Sequence, residues 1–478
     1  MSEVLGIVAE YNPFHNGHLY HIQKTKEITG VKYVVCVMSG NFVQRGNTSI
    51  VDKWTKAQMA IANGVDLVIE LPTVYSISSA ESFAQGAVKI LENLGIVDTI
   101  SFGAETDDFA ALNNIANIIT EEPREYVNML KDELKQGLSF PKARELALIK
   151  FLNDDKRYND ILKGPNNILG IEYLKALKKL KSNINPIAIK REKVYYNDNF
   201  IVDDMASATA IRKMMINKDF EGLIKVVPRS CYEILTKEYE VGNVIFDLQR
   251  YEKEIFYTLR KMTMEQIAEL PDVTEGLEHS IKNAANFCNN IKDFIDIVKT
   301  KRYTQTRIQR ILIFALLGIT KKDVQAAKKV VPYARVLGFN EKGKMLLSGI
   351  SQNNPKMEVV TSVKRFLDNN TNKTYKRMME LDIFATDVYT LGYKYDSMAN
   401  LDYTKNMVMM WVMSANIWTS VITKNILTFR KLAGRHCWRL SPKLRACTTL
   451  LIYFFIITEV QIFATLLIFG TVLKVKLK

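Results

Sequence analysis

The densest chemical signal in the chain is His15-Asn16-Gly17-His18, reached from an apolar run, Val4 to Ala9, through a turn containing Pro13. A helix-forming run follows from about Gly17 to Ile28. Two imidazoles three residues apart on a first helical turn point one way, a turn apart in height. The helix N-terminus adds free backbone N–H groups and the positive end of a dipole, so the place suits an anion. Gly17 has no Cβ and is expected to let a base or phosphate approach the backbone. Such a site holds a triphosphate and stabilises charge on its α-phosphate while a nucleophile attacks, which is nucleotidyl transfer. Zinc is the competing reading, since His15, His18 and His21 recur every three residues. No Cys or carboxylate accompanies them at ligand spacing, and metal-binding helices favour His pairs at i, i+4, so no metal ligand is assigned.

The elements that must position this motif alternate. Strands are expected at Val4–Ala9, Tyr33–Met38, Leu67–Leu71, Thr99–Phe102 and Pro186–Lys190, short, apolar and mostly β-branched, as in parallel strands buried on both faces. Helical runs fall between them at 17–28, 53–63, 79–94 and 108–119. This order predicts an α/β fold, a doubly wound parallel sheet with right-handed crossovers, whose ligands sit at the carboxyl ends of the strands. The His motif ends the first strand and Ser101-Phe-Gly-Ala-Glu105 ends the fourth, so both lie on that edge. Residues 122–182 read as a helical insertion, and Met205–Ile216 as a further helix. The first domain is expected over 1–220. Residues 221–410 read as a mainly helical second domain, with a small β element near Ala334–Leu347.

The formal charge is +14 over 478 residues. Beyond Met410, ten Lys or Arg face the lone Glu459, a net +9, which leaves +5 for residues 1–410. That is mildly basic and does not establish RNA binding. The 411–478 tail also holds three of the four tryptophans and an apolar run, 446–473, long enough to meet a bilayer if it inserts. It reads as an appended segment. Five scattered cysteines form no C-x-x-C, and the chain enters a strand directly from Met1-Ser2-Glu3 without a signal peptide; both fit a cytoplasmic protein.

The His motif resembles the His-x-Gly-His nucleotidyltransferase superfamily. Val37 to Gly46 (VMSGNFVQRG), Pro165 to Tyr173 (PNNILGIEY) and Ser207 to Arg212 (SATAIR) narrow the likeness. Together they resemble the bacterial tRNA(Met) cytidine acetate ligase family from Met1 to about Met410. One departure from many adenylyltransferases is Asn12, where an Asp before the Pro would help to place magnesium.

The resemblance implies an ATP-dependent ligase that makes acetyl-adenylate from acetate and acetylates N4 of the wobble cytidine of elongator tRNA(Met). It implies ATP contacts along Ile7, Val8, Ala9, Glu10, Tyr11, Asn12, Pro13, Phe14, His15, Asn16, Gly17, His18, Leu19 and Tyr20, with His15 and His18 catalytic. Gly103 lets adenine lie against the backbone, Asn166, just before a helix from Ile168, reads the nucleotide, and Arg191 meets ribose or phosphate. Ser207, Thr209 and Arg212 form a second anion site at a helix start. Gln44, Arg45 and Gly46 are expected to shape an acetate pocket. Lys299, Lys301, Arg302, Arg307 and Arg310, with Tyr303 among them, are expected to meet tRNA. No protein partner is evident, and Mg2+ is assigned to no residue. Two other activities share parts of this pattern: an adenylyltransferase acting on a small phosphorylated acceptor, and a non-catalytic tRNA-binding protein.

Overall fold

The computed structural model describes residues 3–153, 155–191, 205–274 and 276–410. The expected tail, with its 446–473 run, lies outside them. A central sheet is built from β1 (Val4–Ala9), β2 (Tyr33–Ser39), β5 (Leu67–Leu71), β6 (Thr99–Ala104) and β7 (Asn185–Lys190), with a hairpin of β3 (Phe42–Val43) and β4 (Asn47–Thr48) after β2. Later in the chain come β8 (Ala334–Asn340), β9 (Val359–Val360) and β10 (Val408–Met410). The strand order is β10-β8-β5-β2-β1-β6-β7, and β9 pairs with β8. All of these pairings are parallel except β5 with β8.

The central strands form because their residues are apolar on both faces: Val34, Val35, Cys36, Val37 and Met38 are all fully buried. Helices α1 (Asn16–Thr29) and α2 (Lys53–Ala62) follow β1 and the hairpin. Chain order reverses at β1, between β2 and β6, so the carboxyl end of β1 opens at a switch point. Four helices, from Arg124–Lys135 to Pro165–Leu180, fill the expected insertion.

The second half shares the main sheet with the first. Met1–Trp411 forms one compact unit, and the expected small β element is a full strand, β8, of the main sheet. The reason is a buried charge. Glu70 stands on β5 with its side chain 2 % exposed, directly opposite Arg335 on β8. Lys53 of α2 reaches Glu70 at 3.0 Å and Asp402 at 2.8 Å, and Arg335 pairs with both carboxylates. A buried ion is tolerable only when paired. Two cations and two anions close this quartet, and half of them come from beyond residue 330.

Candidate active site

The His motif begins with strained backbone, since Tyr11 takes φ 46° just after β1. His15 is the N-cap of α1 and its Nδ1 accepts the Gly17 N–H at 3.1 Å. The His15 N–H in turn donates to Nδ1 of His18 at 3.2 Å. The rings therefore stack, 3.7 Å between centroids and 26° apart, with Tyr11 and Phe14 packed against His18. Because each Nδ1 accepts a backbone proton, the neutral ring must carry its own proton on Nε2. Burial, aided by the charge of Arg191, pushes His15 down to about 3. Burial and the neighbouring His15 and Arg191 hold His18 well below its ordinary value. Near neutral pH the pair is thus two fixed, uncharged Nε2–H donors. Gly17 lines the cleft, and a Cβ there would stand 3.0 Å from Cε1 of His15, so the glycine also makes room for the imidazole.

Asn12 is accounted for locally. Its Nδ2 donates to the Thr48 carbonyl at 3.0 Å and its Oδ1 accepts the Ile50 N–H at 2.7 Å. A carboxylate has no proton for Thr48, so the position suits an amide. The same residue's carbonyl accepts from Nη1 of Arg212 at 3.0 Å, and Nη2 of Arg212 reaches Thr209 Oγ1 at 3.3 Å. The helix carrying these residues, Ala208–Ile216, starts three residues later than expected. Ser207 is its N-cap, with Oγ accepting the Ala210 N–H. Arg212 and Thr209 thus stand beside the His motif, and the Ser207 Oγ caps their helix as an acceptor.

On the other side of β1, Gly103 lies on β6 beneath Arg191, whose Cγ would be 3.3 Å from a Cβ at that position. Arg191 donates to Oδ1 of Asn166 at 3.2 Å. Asn166 sits inside the first turn of helix Pro165–Leu180, not before it, and both Asn166 and Asn167 donate backbone N–H bonds to Glu105. That helix end is therefore filled by the protein's own carboxylate. A cleft joins His15, Gly17, Gly103 and Arg191, and His21 lines it too. His21 contacts Ser101 Oγ at 2.7 Å and is pushed down to about 4 by burial and Arg191. Its i+3 spacing from His18 was visible in the sequence; its partner on β6 was not.

Beneath the strand ends lies Lys56, fully buried, with Nζ donating to the carbonyls of Glu10, Ser39 and Gly40 at 2.8–3.0 Å. Burial lowers it to about 8. Gln44, Arg45 and Gly46 form the turn between β3 and β4, where Gly46 takes φ +73° as a three-residue hairpin loop requires. Gln44 is tied to the end of β1 by its N–H to Glu10 Oε1 at 2.8 Å. A Cβ on Gly46 would come within 2.5 Å of the Arg310 backbone nitrogen, so its close packing is against helix Gln305–Leu317.

The basic segment divides. Lys299, Lys301 and Arg302 are exposed. Arg307 is engaged by the carbonyl of Asp272 at 2.8 Å and by Thr274, and lies 4.9 Å from the ring of Tyr303. Arg310 pairs with the Asp272 carboxylate at 2.8 Å. Both guanidinium groups clamp the 272–274 loop, because a carbonyl and a carboxylate there need donors. Among the described residues no group of three His, Cys, Asp or Glu is placed to hold a metal ion, and no helix is long and apolar enough to cross a membrane.

Comparison with known proteins agrees with this geometry. The family model described as HIGH Nucleotidyl Transferase matches residues 2–404. The tRNA(Met) cytidine acetate ligase of Thermoanaerobacter sp. is 47 % identical over 408 residues, covering 85 % of this chain and 99 % of the relative. That of Acetivibrio thermocellus is 44 % identical over 416 residues, 85 % and 100 % of the two chains. The crystal structure of apo Thermotoga maritima TmcAL superposes with a TM-score of 0.82 at 34 % identity, covering 86 % of this chain and all of that one. The same protein bound with alpha-thio ATP gives 0.80. With its paired histidines at the end of the central strand, the chain belongs to the HIGH nucleotidyl transferase family and, within it, to the tRNA(Met) cytidine acetate ligases.

Proposed function

We propose that the chain couples ATP to the acetylation of N4 on the wobble cytidine of elongator tRNA(Met). An acetate oxygen attacks the α-phosphorus of ATP, the bond to the β-phosphate breaks, and acetyl-adenylate and pyrophosphate form. The cytidine amine then attacks the acetyl carbon, loses a proton and expels AMP. The amine is a weak nucleophile, so the acetyl group needs this activation.

The observation that carries the reading is the interlock of His15 and His18. Two Nε2–H donors fixed by backbone bonds match charge that grows on the α-phosphoryl oxygens, and their preorganisation costs nothing at the moment of reaction. Arg212 and Thr209 are placed for the β- and γ-phosphates, with Arg212 held by Asn12. Gly103, Arg191 and Asn166 form the nucleoside side. Arg191 lies across Gly103 in this structure and must swing aside for a purine to reach the strand. The Gln44-Arg45-Gly46 turn bounds the acetate side through Glu10. With its amide spent on Thr48 and Ile50, Asn12 offers nothing to magnesium, and an ion accompanying ATP would rest on phosphate oxygens. The exposed Lys299, Lys301 and Arg302 are suited to tRNA phosphates. A cytoplasmic location is part of the proposal, because tRNA, ATP and acetate meet there.

The test is to incubate the protein with ATP, labelled acetate and bulk tRNA, then digest the RNA to nucleosides. Labelled N4-acetylcytidine is expected. Its absence from protein that still exchanges pyrophosphate into ATP in the presence of acetate would leave the adenylation and overturn the acceptor.

A further inference from the structure

A second cavity, of about 530 Å3, lies apart from the histidines. Ile216, Tyr239, Phe246, Asp247, Arg250 and Lys394 line it. Its volume is in the range of small-ligand sites. The chemistry of its wall is specific. Tyr239 and Phe246 supply aromatic surface. Arg250 spends Nε and Nη2 on the carbonyls of Gly392 and Tyr393, at 2.9 and 3.0 Å, and among the described residues its Nη1 carries no hydrogen bond. Lys394 rests 5.1 Å from the ring of Tyr395 and pairs with no carboxylate among the described residues. Asp247 has one carboxylate oxygen on the Gln249 N–H at 2.9 Å, and the group can accept more. Aromatic surface with two uncompensated cations and one acceptor suits a base, its phosphate and an exocyclic amine.

The cavity is also connected to the reacting end of the molecule. Ile216 is four residues after Arg212 on one helix, hence on the same face and about 6 Å along the axis. Arg212 is the residue bonded to the Asn12 carbonyl. One helix thus carries both Arg212, beside the His motif, and Ile216, on this wall.

We propose that this cavity is a nucleotide subsite, which binds an unstacked nucleotide flanking the acceptor cytidine. The proposal rests on the tRNA-acetylating reading and adds where the RNA is gripped. Base stacking on an aromatic ring tolerates any sequence, so the subsite contributes affinity and register more than choice of base.

The experiment measures tRNA affinity by filter binding, steady-state acetylation, and acetate-dependent ATP–pyrophosphate exchange for Phe246→Ala, Phe246→Trp and Lys394→Glu. Phe246→Ala and Lys394→Glu are expected to raise the KM for tRNA about tenfold, equivalent to about 1.4 kcal/mol, with exchange within twofold of the parent. Phe246→Trp keeps a stacking face and is expected to keep the parent KM. Unchanged tRNA affinity in both Phe246→Ala and Lys394→Glu overturns the subsite, as does a parallel fall in exchange. If Phe246→Ala unfolds, Lys394→Glu, an exposed change, decides alone. The parent protein in the same assays separates the two claims: if it binds tRNA and acetylates nothing, the acceptor reading fails, while the change in binding still reports on the cavity.

Discussion

Replacing His18 with Asn separates what its imidazole does for the helix from what it does for a phosphate. The Asn Oδ1 occupies the place of Nδ1, 3.2 Å from the His15 N–H in the parent, so the cap survives. What disappears is the Nε2–H. Loss of one preorganised donor to developing charge costs about 10²–10³ in kcat, roughly 3–4 kcal/mol. Loss of a cap would cost about 0.5–2 kcal/mol of stability, and here it is avoided. The smaller side chain gives up its 3.7 Å stack on His15 and its contact with Tyr11, a cost of order 1 kcal/mol. His18→Gln is the complement: it restores an amide donor near Nε2 and abandons the acceptor for His15. Acetate-dependent pyrophosphate exchange and thermal unfolding should therefore rank the two variants in opposite orders. His18→Asn should be the more stable and the less active. Parent-like exchange in His18→Asn, or a large loss of stability in that variant alone, would falsify the division of labour between the two ring nitrogens.

Other predictions follow the same geometry. Asn12→Asp sets a carboxylate against the Thr48 carbonyl, costs about 1–3 kcal/mol and should not tighten magnesium dependence; a lower magnesium requirement in exchange assays would contradict it. His21 titrates near 6.5 when unfolded and is pushed down to about 4 when folded. Between those values the unfolded chain holds more protons, so stability falls as the pH drops from 6.5 toward 4. His21→Gln should flatten the melting temperature over that window, and an unaltered slope would show that His21 is not held neutral. Asp402→Asn leaves Lys53 and Arg335 with Glu70 as their one direct ion-pair partner among the described residues, Asp382 lying nearby, and should cost about 3–5 kcal/mol in urea unfolding; a loss below 1 kcal/mol would show that the quartet is not closed. Arg307→Ala should destabilise the 272–274 loop, seen as faster amide exchange there, whereas Lys299→Glu with Lys301→Glu should reduce tRNA binding and its salt dependence without loss of stability.

The first five large strands were legible because each is a short apolar run bounded by turn residues, and their ends match the structure within two residues. The His motif was legible for the same local reason: type and spacing alone place it at a strand end. What escaped was decided at long range. Nothing in Ala334–Asn340 says that it pairs antiparallel with Leu67–Leu71, since the cause is Glu70 seeking Arg335 across more than 260 residues of chain. The roles of Arg307 and Arg310 were hidden likewise. A sequence shows their charge, but not that Asp272 has already claimed it. That Gly17 also clears space for the His15 ring was not legible, because the contact depends on how His15 turns back over the helix start.

The carboxyl ends of parallel strands turn carbonyl lone pairs toward whatever binds there, an unfriendly surface for a polyanion. Lys56 changes that surface from below. Its three protons are all taken, by Glu10, Ser39 and Gly40, so it raises the local potential without offering a bond to any phosphate. Attraction from such a charge acts while a triphosphate approaches, and no contact has to be broken when pyrophosphate departs. A cation at the surface would have bound the product as firmly as the substrate; sunk beneath the strands, it favours turnover.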